Sequence, residues 1–301
     1  MKHAIHNLLN RAPIIKRIVY QALNAMNSLT GRNRRRHMAR ARLTMQCRDT
    51  DPLPKVANAG EIIDVNGTRV QIMHNGVMVK AGSYMSDWMS SIISDLRGHH
   101  EPQEERVFYE IMKHVGPQAT MIELGAWWAY YSLWFCHDHP DRRAFMIEPL
   151  ESRLNVGREN FELNKYQGTF LQGFIGGHTD SASSQFTDWD GSVHDVPKID
   201  LQKFVKQHEL TMIDILHSDI QGAELGMLQS IRPMLDQQRI NYLVISTHLD
   251  RHQPCKELIL DAGYHIFAEH TIRESYSEDG LIVAHSPRAP VIEEIAISHR
   301  S

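Results

Sequence analysis

Cysteine is scarce in this 301-residue chain: Cys47, Cys136 and Cys255 cannot all pair, and their scattered spacing fits no zinc-binding pattern. A disulfide-stapled secreted scaffold is thereby excluded, and a reducing, cytoplasmic setting is expected. Long apolar runs are missing as well. No stretch approaches the ~18 apolar residues that cross a bilayer, and the opening residues lack the apolar segment and cleavage site of a signal peptide. Acidic side chains are absent from residues 1–48, which carry eleven Lys and Arg. The remainder holds 21 basic against 36 acidic side chains, so the net charge of −4 conceals a basic arm on an acidic body. Glycine is thin where a dinucleotide fold needs it. Gly125 is followed by Ala126, Trp127, Trp128, Ala129 and Tyr130, so no G-x-G-x-x-G is present to cradle a pyrophosphate on a helix N-terminus. A nucleotide-dependent oxidoreductase is disfavoured on that ground.

What is present fits one ordinary domain with attachments. The hydrophobic content of 42% supports a substantial core, and the charged content of 23% is that of a soluble globular chain. Residues 1–48 read as a basic amphipathic arm, in which Ile14, Ile15, Ile18, Val19, Ala22, Leu23 and Met26 recur at helical spacing. Lys16, Arg17, Arg32, Arg34, Arg35 and Arg36 flank that stripe. Such a helix suits an anionic membrane surface and equally suits packing on its own domain or on a partner subunit. A homo-oligomer stays open, and no nucleic-acid module is recognisable.

Residues 49–99 form an accessory region. Asn66-Gly67 and Asn75-Gly76 between alternating apolar runs over 60–82 predict a small β-meander, followed by a helix over 84–96. The spacing then predicts strand 119–124, helix 129–137, strand 143–148, helix 150–164 and strand 168–175. A polar loop over 176–197 leads to helix 199–208, strand 212–218, helix 222–235, strand 240–247, helix 253–262 and strands 264–270 and 280–285. Alternating strands and helices ending in a hairpin imply an α/β fold whose sheet is mostly parallel with one antiparallel strand.

The most informative stretch is 121–149. One strand ends in Glu123, Leu124 and Gly125, an aromatic helix follows, and a second strand ends in Glu148 and Pro149. Ligands of doubly wound sheets sit at those carboxyl ends. The second acidic residue there takes ribose hydroxyls, and a glycine after the first strand permits close backbone approach. Two tryptophans line a phosphate poorly but suit S-adenosylmethionine, which has none. Glu123 would receive its ammonium and Glu148 its ribose; alternatively Glu123 caps a helix and Glu148 is a surface carboxylate.

Residues 212–228, MIDILHSDIQGAELGML, add a second strand-end constellation. Together with IELGAWWAYYSLWF, MIEP, the Asn160–Asn164 pair in RENFELN and DGLIVA at 279–284, it resembles the FkbM-type family of S-adenosylmethionine-dependent O-methyltransferases, from about His100 to Ala284. The resemblance implies a class I, Rossmann-like methyltransferase domain over 100–301. It implies S-adenosylmethionine as cofactor and a sugar hydroxyl of a surface polysaccharide or glycolipid as acceptor; the membrane-surface reading of the basic arm would set the chain at the inner face of the membrane. The chain departs from the family in its glycine loop, at Trp128–Ala129. The candidate cofactor set is Glu123, Gly125, Ala126, Trp127, Tyr130, Glu148, Pro149 and Phe174, with Glu101 and Gln103 from the GHHEPQEE segment. That segment is a candidate lid whose Glu101, Gln103 and Glu104 could meet the cofactor's amino-acid end or the acceptor; it equally suits a helix N-cap with acidic first-turn residues.

A hydroxyl is a weak nucleophile, so methyl transfer to it needs a base or a metal. His217 and Asp219 stand two apart on one strand and share a face, and His248 ends the neighbouring strand. Either His248 or Asp219 acts as base, or His217, Asp219 and His248 hold a divalent cation such as magnesium or manganese that chelates a diol. Glu224 would support them. Trp189, in the polar loop, could stack on a sugar. The competing class is a non-catalytic scaffold or partner-binding subunit that keeps the fold, for which the bulky Trp127–Trp128 pair is the best support.

Overall fold

The computed structural model describes residues 32–137, 139–175, 183–188 and 192–300. The amphipathic stripe at 14–26 and Trp189 lie outside the described residues. The basic arm enters as helix α1 (Arg32–Thr44).

The meander follows as β1 (Ile62–Val65), β2 (Thr68–Ile72) and β3 (Met78–Lys80). Val65 pairs with Thr68 across Asn66-Gly67, whose φ values of 52° and 81° are those of a two-residue hairpin turn. Helix α2 (Asp87–Asp95) buries Met89, Ile92 and Ile93. Helix α3 (Pro102–Met112) then leads to β4 (Thr120–Leu124), α4 (Tyr130–Cys136), β5 (Arg143–Glu148), α5 (Glu151–Asn164) and β6 (Thr169–Gln172).

The predicted strand 168–175 divides at Gly173, whose amide bonds back to the Glu148 carbonyl at 3.1 Å. Beyond it, β7 (Phe174–Ile175) joins a separate small sheet with β8 (Ser183–Thr187) and β9 (Val193–Ile199). Much of the expected polar loop is therefore sheet, because the alternation in VHDVPKI buries Val196 while its neighbours face out. Next come α6 (Leu201–Gln207) and β10 (Ile213–Ser218). The helix expected over 222–235 is two pieces, α7 (Glu224–Ser230) and α8 (Arg232–Asp236), since Pro233 cannot donate to a continuous helix. β11 (Ile240–Thr247), α9 (His252–Asp261), β12 (His265–His270) and β13 (Gly280–His285) close the domain.

The seven-stranded sheet has the order β12-β13-β11-β10-β4-β5-β6, and β13 alone runs antiparallel to its neighbours. That is the predicted α/β, mostly parallel, class I methyltransferase arrangement. β4 is buried along its whole length and β10 nearly so, as expected of central parallel strands covered on both faces. One core packs α3, α4 and the accessory region on one face; the other packs α6 to α9 on the opposite face.

The Asn160–Asn164 pair ties the accessory region to this domain. Asn160 and Asn164 accept from the Lys80 and Met78 amides at 2.9 Å each, and Asn164 returns a bond to the Met78 carbonyl at 2.6 Å. One turn apart on α5, they stand in for a strand along the edge of β3.

Candidate active site

The chain leaves β4 and crosses the end of β5, with the Gly125 and Ala126 amides both donating to the Ile147 carbonyl. Gly125 has φ +76°, and a Cβ there would lie 1.9 Å from the Asp219 carbonyl oxygen. The glycine is thus required by the loop after β10, not only by a ligand. Trp127 (φ 37°) and Ala129 (φ 57°) are also left-handed, strain of the kind that clusters at functional loops.

The two tryptophans part company. Trp128 is buried and stacks on Tyr84 at 4.5 Å, filling the junction with the accessory region. Trp127 lies under the Arg153 guanidinium, 4.3 Å from the ring centre, and Arg153 pairs with Asp188 at 2.7 Å.

Beneath them sits Glu148, 3% exposed. One of its oxygens accepts from the Leu150 amide at 3.1 Å and the other from the Trp127 amide at 3.4 Å. Burial pushes its carboxyl up to about 7 against the pull of those amides and of Arg153. Each oxygen keeps a lone pair for a ribose hydroxyl, so Glu148 fits the adenosine end of S-adenosylmethionine.

Glu123 is differently engaged. It is buried and accepts from the Ser132 amide at 3.0 Å, capping α4, and burial raises its pKa. Tyr130 turns inward to His74 and Glu105. Gln103 accepts from the Tyr276 amide and donates to the Ser298 and Glu274 carbonyls, which ties down the C-terminal segment. Pro149 accepts from Gln172 through its carbonyl, and Phe174 meets Phe186 at 6.3 Å. Of the ten candidate cofactor positions, Glu148 and Trp127 meet at the end of β5, and Glu101 and Gln103 line a separate cavity. The other side chains face their own packing.

That cavity lies between the start of α3, the end of β12 and the start of β13, and from its wall Glu104 reaches β10 and β11. Glu104 accepts from His217 Nε2 at 2.6 Å and from Ser246 at 3.0 Å. Burial would raise Glu104, but His217, Ser246 and Tyr131 together hold it below the usual range. His217 is raised in turn, because Glu104 overrules the effect of burial.

His248 is ringed by three carboxylates: Glu224 at 2.7 Å on Nδ1, with Asp279 at 2.8 Å and Asp219 at 3.3 Å from Nε2. Burial alone would lower its pKa; hydrogen bonds to Asp279 and Glu224 and the charge of Asp219 push it to about 11. Asp219 is raised to about 6 by burial, with His248 opposing and Asp279 and Glu104 assisting. Glu101 is raised to about 7 by burial, and Glu104, Asp219 and Asp279 add to it.

Two expectations are corrected by this geometry. Carboxylates on both ring nitrogens favour the imidazolium form of His248, which speaks against it as the base. The expected metal set does not form: His217 faces Glu104 while His248 faces Asp219 and Asp279. Among the described residues, the one group of three metal-capable side chains found within ligand reach is His74, His99 and Glu105. The antiparallel strand supplies what the sequence reading missed, Asp279, and the first turn of α3 brings Glu104, expected only as a lid residue, to His217. The signal for Asp279 was present, since β13 pairs Gly280 with Thr247 and so sets Asp279 beside His248.

With this geometry in hand, comparison with known proteins decides the family. The methyltransferase FkbM domain model matches residues 110–266, just over half the chain. The chain belongs to the FkbM methyltransferase family. It is an S-adenosylmethionine-dependent methyltransferase at that level of description. No curated protein matches it. Among solved structures it is similar to the METTL16 methyltransferase domain, at 15% identity and TM-score 0.45 over 72% of this chain and 86% of that one. It is also similar to M. capricolum TrmK in complex with S-adenosylhomocysteine, at 18% identity and TM-score 0.40 over 62% and 71%. A third is precorrin-6y C5,15-methyltransferase from Geobacter metallireducens, at 14% identity and TM-score 0.40 over 60% and 86%.

Proposed function

We propose that this FkbM-family chain is an O-methyltransferase acting on the hydroxyl of a neutral, sugar-like acceptor, with a carboxylate as its base. The observation that supports it is the gathering of Glu101, Glu104 and Asp279 on one cavity, with Asp219 joined to Asp279 through His248. When bound, S-adenosylmethionine supplies a methyl on an activated sulfonium. Glu148 would hold its ribose, with Trp127 beside it.

The protein's task is then to align an oxygen and take its proton. Glu104 and Asp279 are each committed to an imidazolium, His217 and His248. Asp219 and Glu101, poised near 6 and 7, are the carboxylates able to exchange a proton at neutral pH. His100 stands 3.5 Å from Glu101 and His248 3.3 Å from Asp219, and each would orient its carboxylate. Four gathered carboxylates disfavour phosphorylated or carboxylated acceptors by like-charge repulsion. The sugar class itself rests on the resemblance of the motifs.

The described cavity holds about 20 Å³, room for roughly one water, so an acceptor must displace its cover. That cover is α1: Thr44 donates to the Tyr276 carbonyl at 2.8 Å, and Arg36 and Arg40 pair with Glu278 at 2.9 and 3.2 Å. The basic arm is proposed to meet an anionic membrane surface at the inner face. No helix among the described residues is long and apolar enough to cross a membrane.

A scaffold reading has one observation in its favour, the Arg153–Asp188 pair closing over the nearly inaccessible Glu148. Titration of S-adenosylmethionine by calorimetry tests it, because a scaffold gives no binding heat. Turnover is tested with radiolabelled S-adenosylmethionine and a panel of methyl glycosides. Asp219→Asn and Glu101→Gln are expected to lower turnover by about 10²–10⁴-fold while sparing cofactor affinity. Full activity in both variants would refute the carboxylate-base mechanism, and loss on exhaustive chelation would restore a metal.

A further inference from the structure

Away from the catalytic cavity, His74, His99 and Glu105 come together at the junction of the accessory region and the domain. Their ligand atoms all lie within 4.8 Å of one another. They arrive from three places: the end of the β2–β3 hairpin, the turn before α3, and the first turn of α3. They are 3%, 0% and 0% exposed. Tyr130, first residue of α4, brings a fourth oxygen: its hydroxyl is 3.0 Å from His74 Nδ1 and 3.4 Å from Glu105 Oε2. The same Glu105 oxygen contacts His99 Nδ1.

A tetrahedral ion with bonds of ~2.0–2.1 Å separates its ligand atoms by about 3.3–3.4 Å, and the two edges through Tyr130 lie close to that value. The His74 and His99 rings stack at 4.3 Å and 17°. They therefore present nitrogens side by side to one oxygen pair, as two ligands of one ion would after a modest ring rotation.

His100 supplies the outer support, its backbone amide donating to the other Glu105 oxygen at 2.7 Å. His99 Nε2 is buried with no hydrogen-bond partner, so the protein groups alone leave this cluster incomplete.

We propose that His74, His99 and Glu105 form a structural zinc site, with the Tyr130 hydroxyl at its fourth corner, that clamps the β-meander onto α3 and α4. Two imidazoles and a carboxylate suit zinc or another borderline divalent metal rather than magnesium or calcium. Full burial makes the site structural, with no open position facing the catalytic cavity. An ion there would enter during folding.

The test uses full-length protein carrying no histidine tag, with metals measured by mass spectrometry after gel filtration. About one zinc per chain is expected, falling at least tenfold in His74→Asn and His99→Asn. Wild-type protein refolded with cobalt(II) should show the visible bands of a four-coordinate ion. Refolding in a chelator should lower the melting temperature, with zinc restoring it. This second arm decides the matter should the variants not fold. Substoichiometric metal after refolding with zinc, cobalt bands absent, or metal content unchanged in both variants would overturn the site. None of these readouts depends on methyl transfer, so the proposed activity can fail without touching it.

Discussion

Glu148 should make cofactor binding depend on pH, and the size of the effect follows from its burial. Ribose hydroxyls donate to a carboxylate, so S-adenosylmethionine selects the ionised form. In the free protein that form is held to a pKa of about 7. The apparent Kd therefore rises by the factor 1 + 10^(7−pH): about twofold at pH 7 and about elevenfold at pH 6, with close to one proton released at pH 6. Glu148→Gln removes the charge from two hydrogen bonds, each worth about 1.5–3 kcal/mol. The loss at pH 8 should be at least tenfold, and the pH dependence should vanish. The sign for stability is the opposite of that for binding. A carboxyl raised above its unfolded value contributes stability that is present below the unfolded pKa and lost as pH rises through 7. The cofactor-free Gln variant should thus melt higher than wild type at pH 8. Calorimetry at pH 6, 7 and 8 in two buffers of different ionisation heat reads both affinity and proton release. A wild-type affinity constant across that range, without proton release, would refute the assignment of the ribose to Glu148.

Gly125→Ala forces a Cβ to within 1.9 Å of the Asp219 carbonyl at a positive φ, so denaturant titration should show a loss of more than about 2 kcal/mol; a loss below 0.5 kcal/mol would show that the loop yields freely. Histidine-selective NMR should find the His248 imidazole protonated throughout pH 6–9, since its pKa is pushed to about 11. The stability from that raised pKa is complete below its unfolded value and is lost only as pH rises through 11. Titration near 6.5 would place it outside its carboxylate ring. Full-length protein should float with anionic vesicles, weakening as salt rises, and protein lacking residues 1–48 should not; equal flotation of both forms would remove the arm from membrane contact.

Much of the fold was legible because its central strands are buried on both faces. IDILHS and INYLVIST read as strands by composition, and the Asn-Gly pairs fixed the meander turns. Local signals failed where tertiary contacts decide. Nothing in TFLQGFI says that Gly173 turns the chain out of one sheet and into another; that follows from packing against Ile199. In the site, the strand-end position of Glu148 was readable because it is local. Glu104 was legible only as a lid residue, not as the partner of His217 and Ser246, which lie 113 and 142 residues away; a helix N-terminus rich in acid explains itself by the macrodipole without them. The same blindness made His248 look like a free base. Its histidine character is local, whereas its charge is set by Glu224, Asp279 and Asp219 from three separate segments.

The first turn of α3 is where these distant partners meet. Glu101, Glu104 and Glu105 stand within five positions, and each goes a different way. Glu105 turns into the interior, receives the His100 and Glu101 amides and contacts His99. Glu104 reaches across to His217 on β10 and Ser246 on β11. Glu101, with no hydrogen bond of comparable quality, is left over the cavity, 3.5 Å from His100. A helix N-terminus lowers the cost of gathering three carboxylates, but it cannot favour all three equally once they are buried. Two are satisfied by imidazoles and fall below their usual pKa. The third keeps the penalty of burial and of its neighbours' charges, and it rises. Burial first, then the charges of Glu104, Asp219 and Asp279, make Glu101 basic enough to take a proton near neutral pH, against the pull of His100. One helical turn thereby joins the clamp on the accessory region to the chemistry of the cavity.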